Sequence, residues 1–137
     1  MVQNITEKRT GFTLVELLVV IAIIGLLSTI VLVSFGPVRN QARDTTIKAN
    51  LNQMRLAAEM QYASAEDYTG SDSRDDYIAA AASVVSATGT VTDNFDTDAY
   101  CIQSTLASSG SWCTDSTGYI GSTSVSCDGT NYDCDSD

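Results

Sequence analysis

Residues 8–35 read KRTGFTLVELLVVIAIIGLLSTIVLVSF, a basic pair followed by a glycine, a phenylalanine and a long apolar segment. Between Phe12 and Phe35 the only charged residue is Glu16. These 24 residues, at about 1.5 Å of rise each, form a helix of about 36 Å, which is enough to cross the hydrocarbon core of a bilayer. We therefore predict a membrane-spanning helix with one acidic residue near its start.

The residues before this helix, Met1 to Gly11, form a short polar leader. They lack the apolar middle and the small-residue cleavage pattern of an ordinary secretory signal. Cleavage after Gly11 would keep the apolar segment at the mature N-terminus and leave 126 of the 137 residues. The basic residues Lys8 and Arg9 favour an orientation with the N-terminus in the cytoplasm.

Helical periodicity continues past Gly36-Pro37, where the proline removes one backbone hydrogen bond and weakens the helix locally. The apolar residues beyond it fall on one stripe at helical spacing: Ile47, Leu51, Met54, Ala58, Tyr62 and Ala65. We predict one helix from about Phe12 to Ala65. Its first part, residues 12–36, is apolar all round, and its second part, residues 37–65, packs on a globular region formed by residues 66–137.

The globular region combines a short helix with several short strands. Alanine-rich sequence predicts a helix over Tyr77–Ala87, with turns at Thr88-Gly89 and Asp93-Asn94. Alternating and β-prone sequence then predicts three strands, at Tyr100–Leu106, Ser111–Thr114 and Tyr119–Val125. A small antiparallel sheet lying on the long helix gives an α+β fold.

All four cysteines lie in the C-terminal part of the chain: Cys101, Cys113, Cys127 and Cys134. An even count in a small domain behind a membrane segment predicts disulfides in an oxidising compartment. The alternative, a zinc site, is disfavoured because the chain has no C-x-x-C pair and no histidine. Of the three possible connectivities we favour Cys101–Cys113 with Cys127–Cys134, because each bond then closes a short loop.

The charge is strongly acidic and unevenly distributed. The whole chain has a formal charge of −10, and from Leu56 onward fourteen Asp and Glu residues stand against Arg74 alone, a formal charge of −13. Such a surface repels nucleic acid, so we expect no direct nucleic-acid binding. The earlier basic residues are expected to face the membrane surface or neighbouring subunits: Arg39, Arg43, Lys48 and Arg55.

Two acidic segments are weak candidates for calcium binding. Asp93, Asp96 and Asp98 are closely spaced in the first, and residues 131–137 form the second. Neither has the sixth-position glycine or the closing glutamate of an EF-hand, and both are more typical of a solvated acidic loop or a frayed tail. No other cofactor is expected. Without histidine, a G-x-S-x-G motif or a phosphate-binding loop, the sequence predicts no enzyme.

The segment Gly11-Phe12-Thr13-Leu14-Val15-Glu16-Leu17-Leu18 resembles the class III signal of the type IV pilin and type II secretion pseudopilin superfamily. This resemblance implies a type IV pilin-like fold and cleavage between Gly11 and Phe12 by a prepilin peptidase. It also implies N-methylation of Phe12, and pairing of Glu16 with the terminal amine of a neighbouring subunit.

Physical chemistry favours a partner for Glu16, because a carboxylate in hydrocarbon is costly unless it is paired. A mismatched axial register between neighbouring helices would leave the acid unpaired, so Glu16 can set the stagger of a helix bundle. The alternative is that Glu16 lies at the headgroup level and is stabilised only by the helix dipole.

The function that the resemblance implies is a structural subunit of a filament. The precursor would span the inner or cytoplasmic membrane once and then enter an extracellular pilus or a periplasmic pseudopilus. Its partners would be copies of itself, the prepilin peptidase and the assembly machinery. The alternatives are a type II secretion pseudopilin, a minor or tip pilin for adhesion or DNA uptake, and a monomeric membrane-anchored domain.

Overall fold

The computed structural model describes residues 11–135, apart from the side chains of residues 32–34. The first ten residues of the predicted leader and the last two residues of the chain lie outside the described residues. The elements, in chain order, are helix α1 (Leu14–Ala65), a 3₁₀ turn (Ser71–Ser73), helix α2 (Asp75–Ser86) and strands β1 (Val91–Phe95), β2 (Tyr100–Thr105), β3 (Ser111–Asp115) and β4 (Ile120–Thr123). The chain divides into two compact units between Gly36 and Pro37.

The first unit contains the apolar part of α1. Among the described residues one stretch, Leu14–Val31, is long and apolar enough to cross a membrane, and none of it is buried. Its two hydroxyl side chains return hydrogen bonds to helix carbonyls, from Ser28 Oγ to Ile24 O at 2.7 Å and from Thr29 Oγ1 to Leu26 O at 2.8 Å. The surface of this segment is therefore apolar even where serine and threonine occur.

Helix α1 begins two residues later than predicted and ends at the predicted residue, Ala65. It continues through Pro37, which lies inside the helix. A proline interrupts only the hydrogen bond that its missing N–H would donate, so the turns on either side retain theirs.

The core of the second unit lies between α1, α2 and the sheet. Helix α1 contributes Ile47, Leu51, Met54, Ala57 and Ala58, and the remaining core comes mainly from Tyr77, Ala80, Val84, Tyr100 and Ile102. The predicted stripe is wrong for its last two members, because Tyr62 and Ala65 are exposed. The buried stripe ends at Ala58, and Tyr62 only borders the core by stacking on Tyr68, with ring centroids 4.6 Å apart.

The sheet is an antiparallel meander with the strand order β1-β2-β3-β4. In β2, Tyr100 and Ile102 belong to the core, whereas Cys101 packs with the other cysteines on the opposite, outer face. The predicted α+β fold, a long helix packed on a small antiparallel sheet with a disulfide-bonded C-terminal region, is confirmed.

The predicted turn at Asp93-Asn94 is wrong, because both residues lie inside β1, opposite Ile102 and Cys101. Two side-chain contacts stabilise this polar edge strand: the Asp93 carboxylate accepts a hydrogen bond from the Tyr77 hydroxyl, and Asn94 Nδ2 donates to Asn131 O at 3.4 Å. The chain reverses after β1 instead, where Asp96 N–H donates to Ala99 O at 2.8 Å.

Two disulfides form, as predicted, but the favoured pairing is wrong. The bonds are Cys101–Cys127 and Cys113–Cys134, with sequence separations of 26 and 21. The reason is the strand register, which places Cys101 opposite Asp115 and Cys113 opposite Gln103. The two strand cysteines are thus offset by two residues, and each bonds to a cysteine of the C-terminal segment that lies against the outer face.

Candidate processing and assembly site

The start of α1 is fixed by a reciprocal pair of residues, Thr13 and Glu16. Glu16 Oε2 accepts hydrogen bonds from Thr13 N–H at 2.8 Å and from Thr13 Oγ1 at 2.7 Å, while Glu16 N–H donates to Thr13 Oγ1 at 3.3 Å. This arrangement is a capping box, in which two side chains satisfy backbone N–H groups at the beginning of a helix. The T-x-x-E spacing of residues 13–16 is the sequence signal of this capping box.

The predicted cleavage site lies just before this cap. Gly11, Phe12 and Thr13 are exposed and have no regular secondary structure, and Phe12 has an exposed fraction of 87%. A peptide bond in such a segment is accessible to a peptidase without unwinding of a helix. The structure therefore places Gly11, Phe12 and Glu16 within one short, exposed segment.

Glu16 is hydrogen-bonded but has no counter-ion within the described part of the chain. Both bonds from Thr13 go to Oε2, and no described group donates to Oε1. The capping box thus fixes the direction of the carboxylate without neutralising its charge. An external cation or amine can approach Oε1.

The three predicted calcium ligands share no hydrogen-bond partner among the described residues. Asp93 accepts from Tyr77, Asp96 Oδ1 accepts from Thr97 N–H at 2.8 Å, and Asp98 is exposed. Within residues 11–135 the one cluster of three potential metal-ligating side chains is Cys113, Cys127 and Cys134, all of which are in disulfides. A calcium site remains a prediction.

The basic residues of α1 are in different environments. Lys48 Nζ lies 4.2 Å from the centre of the Trp112 ring, a cation–π contact that anchors it to the sheet. Arg39 is exposed, and Arg43 and Arg55 are half-buried. Contacts of these residues with lipid or with neighbouring subunits remain a prediction.

A buried carboxylate on α1, Asp44, was not identified from the sequence. It accepts hydrogen bonds from Ala107 N–H at 2.6 Å, from Ser108 N–H at 3.2 Å and from the Ser108 hydroxyl. Burial opposes its ionisation, but the hydrogen bonds from Ser108 and Ala107 and the nearby Lys48 hold the pKa of Asp44 below its usual value. Asp44 thus ties the β2–β3 loop to the helix.

Glu59 forms a second connection between α1 and the globular region. Its Oε1 accepts from Tyr100 Oη at 2.9 Å, and its Oε2 lies 3.4 Å from Tyr68 Oη. Burial and the interaction with Glu59 raise the pKa of both phenols. No local pattern marks Asp44 or Glu59, because their partners lie far away in the sequence.

A comparison with known protein families points to the same N-terminal segment. Residues 7–32 match the family defined by the prokaryotic N-terminal methylation motif. The chain is also 38% identical over 63 residues to the type IV wide pilus major component PilA4 of Thermus thermophilus. That match covers 46% of this chain and 48% of the relative, so it spans about half the length of the curated relative.

No solved structure matches the chain significantly. The resemblance to type IV pilins is nevertheless confirmed by the methylation motif and by homology to a pilus component.

Proposed function

We propose that the chain is the precursor of a structural subunit of a type IV pilus-like filament. One observation carries this proposal: an exposed Gly11–Phe12 bond stands directly before a capped helix whose apolar part, Leu14–Val31, has Glu16 as its only acid, within the segment that matches the methylation motif. The description of the relative as a major component of a pilus supports a pilus rather than a secretion pseudopilus.

Processing would occur at the exposed segment. A prepilin peptidase cleaves after Gly11, which frees the backbone amine of Phe12, and the same amine is then methylated. The apolar helix stays with the subunit and anchors it in the membrane, with the N-terminus on the cytoplasmic side and the globular region outside.

Assembly would use the carboxylate charge of Glu16, which the capping box does not neutralise. A neighbouring subunit presents its Phe12 amine to Glu16 Oε1, which neutralises both groups in surroundings where an unpaired charge is costly. Burial of Leu14–Val31 against the same segment of other subunits replaces contact with lipid. The assembly machinery lifts each subunit from the membrane into the polymer.

The test separates the charge of Glu16 from its role in the helix cap. Glu16→Gln retains an acceptor for Thr13 but carries no charge, whereas Glu16→Ala removes both functions. We expect both variants to be cleaved normally and both to lose filaments, as seen by electron microscopy of the cells and by shear fractionation. The exposed Asp135→Ala is the control and should assemble normally.

Two results would contradict the proposal. Normal filaments from Glu16→Gln would show that the capping box alone matters and that the charge pairs with nothing. Gly11→Val should block processing, so the cellular protein should keep the mass of all 137 residues. A shortened product from Gly11→Val would place the cleavage elsewhere.

A further inference from the structure

The observed disulfides are not those that an unfolded chain favours. Cys101–Cys113 and Cys127–Cys134 would close loops of 12 and 7 residues, whereas the structure closes loops of 26 and 21. Since the probability of closing a loop falls as about the 3/2 power of its length, the short-loop pairing is favoured roughly 15-fold before folding. The folded chain must therefore supply the selection.

Proximity of the sulfur atoms does not select the disulfide pairing. The Sγ atoms of Cys113 and Cys127, which belong to different disulfides, lie 3.6 Å apart. The Sγ atoms of Cys113, Cys127 and Cys134 all lie within 4.8 Å of one another. The sulfur atoms of cysteines that do not bond to each other are thus in van der Waals contact. The disulfide pairing must therefore be selected by the residues that hold the backbone of each cysteine in place.

On β2, that role falls to Gln103, which lies two residues after Cys101 on the same face of the sheet. Gln103 Oε1 accepts a hydrogen bond from the backbone N–H of Cys127 at 3.2 Å. Its Nε2 donates to Val125 O at 2.8 Å. The side chain therefore holds the segment that carries Cys127, the partner of Cys101.

Strand β3 repeats this arrangement with Asp115, two residues after Cys113. Asp115 Oδ2 accepts from the backbone N–H of Cys134, the partner of Cys113, at 2.9 Å. Its Oδ1 accepts from Thr117 N–H at 2.9 Å, from Thr117 Oγ1 at 2.6 Å and from Tyr119 N–H at 3.1 Å. The β3–β4 turn thus fixes this fully buried carboxylate locally, before the C-terminal segment is needed.

We propose that Gln103 and Asp115 select the disulfide connectivity by holding the backbone amides of Cys127 and Cys134 beside the correct strand cysteines. In each bond, two thiols give up two protons and two electrons to a disulfide oxidant such as oxidised glutathione, which becomes two thiols. Gln103 and Asp115 exchange no electrons and act as positioning residues. This proposal does not depend on filament formation.

The test is oxidative refolding of the full chain in detergent with a glutathione redox buffer at pH 8. Free thiols are trapped with iodoacetamide at intervals. Chymotrypsin then separates the four cysteines at Trp112, Tyr119 and Tyr132, and mass spectrometry identifies the linked peptides. The variants are Gln103→Leu and Asp115→Asn. The matched control is Thr114→Val, which alters the neighbouring buried residue whose Oγ1 has no hydrogen-bond partner among the described residues.

We expect each variant to slow its own bond. Asp115→Asn should reduce the one-disulfide intermediate Cys113–Cys134 at least fivefold, and Gln103→Leu should do the same to Cys101–Cys127. Thr114→Val should match the wild type. In 6 M guanidinium chloride, all four proteins should give the same mixture rich in short loops, because the selecting contacts are absent there.

The proposal is overturned if both variants form both intermediates at the wild-type rate. It is also overturned if each variant loses the two intermediates equally, because general unfolding rather than local positioning then explains the loss.

Discussion

Among single residues, Asp44 is a buried charge that is stabilised mainly by hydrogen bonds and less by the nearby charge of Lys48. Three hydrogen bonds from Ala107 and Ser108 replace the water that its carboxylate loses. Hydrogen bonds to a charged group contribute more than neutral ones, and removal of one partner leaves the others unsatisfied. The β2–β3 loop therefore depends on one helix residue.

We predict that Asp44→Asn lowers the free energy of unfolding at pH 7 by about 1–3 kcal/mol, because the amide donates where the carboxylate accepted. The folded-state pKa of Asp44 lies below its unfolded value of about 3.9. The contribution is therefore complete above about pH 5 and is lost as the pH falls through the folded-state pKa.

Urea unfolding in detergent between pH 7 and pH 3 measures this effect. The difference between wild type and variant should shrink in acid, and the exposed Asp135→Asn should cause almost no difference at any pH. A difference for Asp44→Asn that does not change with pH would show that the carboxylate charge contributes nothing.

Among the elements, α2 and β2 are packed most tightly around Gly89. The other close glycine contact, at Gly121, is with the flexible side chain of Tyr119. A Cβ atom on Gly89 would lie 2.6 Å from Ser104 Oγ, 2.7 Å from Val84 Cγ1 and 3.1 Å from the Thr105 carbonyl oxygen. One of these neighbours is backbone, so the junction cannot relax by rotating side chains alone.

We predict that Gly89→Ala lowers the free energy of unfolding by about 1–3 kcal/mol, the usual cost of overpacking. The matched control is Gly25→Ala, since Gly25 lies in α1 and its added methyl group would meet no atom within 4 Å beyond its chain neighbours and its own helix backbone. That change should leave stability unaltered or raise it by up to about 1 kcal/mol. Thermal unfolding of the two variants in detergent compares them, and equal midpoints would contradict the prediction.

The elements were predicted from the sequence with unequal accuracy. Helix α1 was predicted almost to its ends because an apolar segment of membrane length is followed by sequence with helical periodicity. Strand β1 was missed because Asp93 and Asn94 are typical turn residues, and they are tolerated in an edge strand only through contacts with Tyr77 and Asn131. The disulfide pairing was wrong because strand register, which offsets Cys101 from Cys113, cannot be read from spacing.

At the scale of the whole molecule, the chain separates its tasks along the sequence. The predicted processing residues Gly11 and Phe12, the acid Glu16 and the apolar stretch Leu14–Val31 are contiguous, and residues 7–32 match one sequence motif. The residues that hold the globular region together, such as Asp44, Glu59 and Asp115, act over distances that only the folded chain defines. Residues that act together because they are adjacent in the sequence could be predicted, whereas residues that act through tertiary contacts could not.

We predict that reduction of both disulfides lowers the free energy of unfolding by several kcal/mol, since each long loop contributes roughly 3 kcal/mol. Urea unfolding with and without a phosphine reductant measures the change. Helix α1 lies outside both covalent loops, so most of the helical circular dichroism should survive reduction before urea is added. Identical urea midpoints would contradict this prediction.

The Cys101–Cys127 disulfide also determines how the C-terminal region responds to a pulling force. Without cross-links, the chain from Cys101 to Cys134 could extend to about 115 Å. With the Cys101–Cys127 bond in place, tension passes across it and along seven residues to Cys134, so only about 25 Å of chain can extend there. The bond therefore prevents about 90 Å of extension, and a chain pulled from both ends keeps its C-terminal region short even after the sheet has opened.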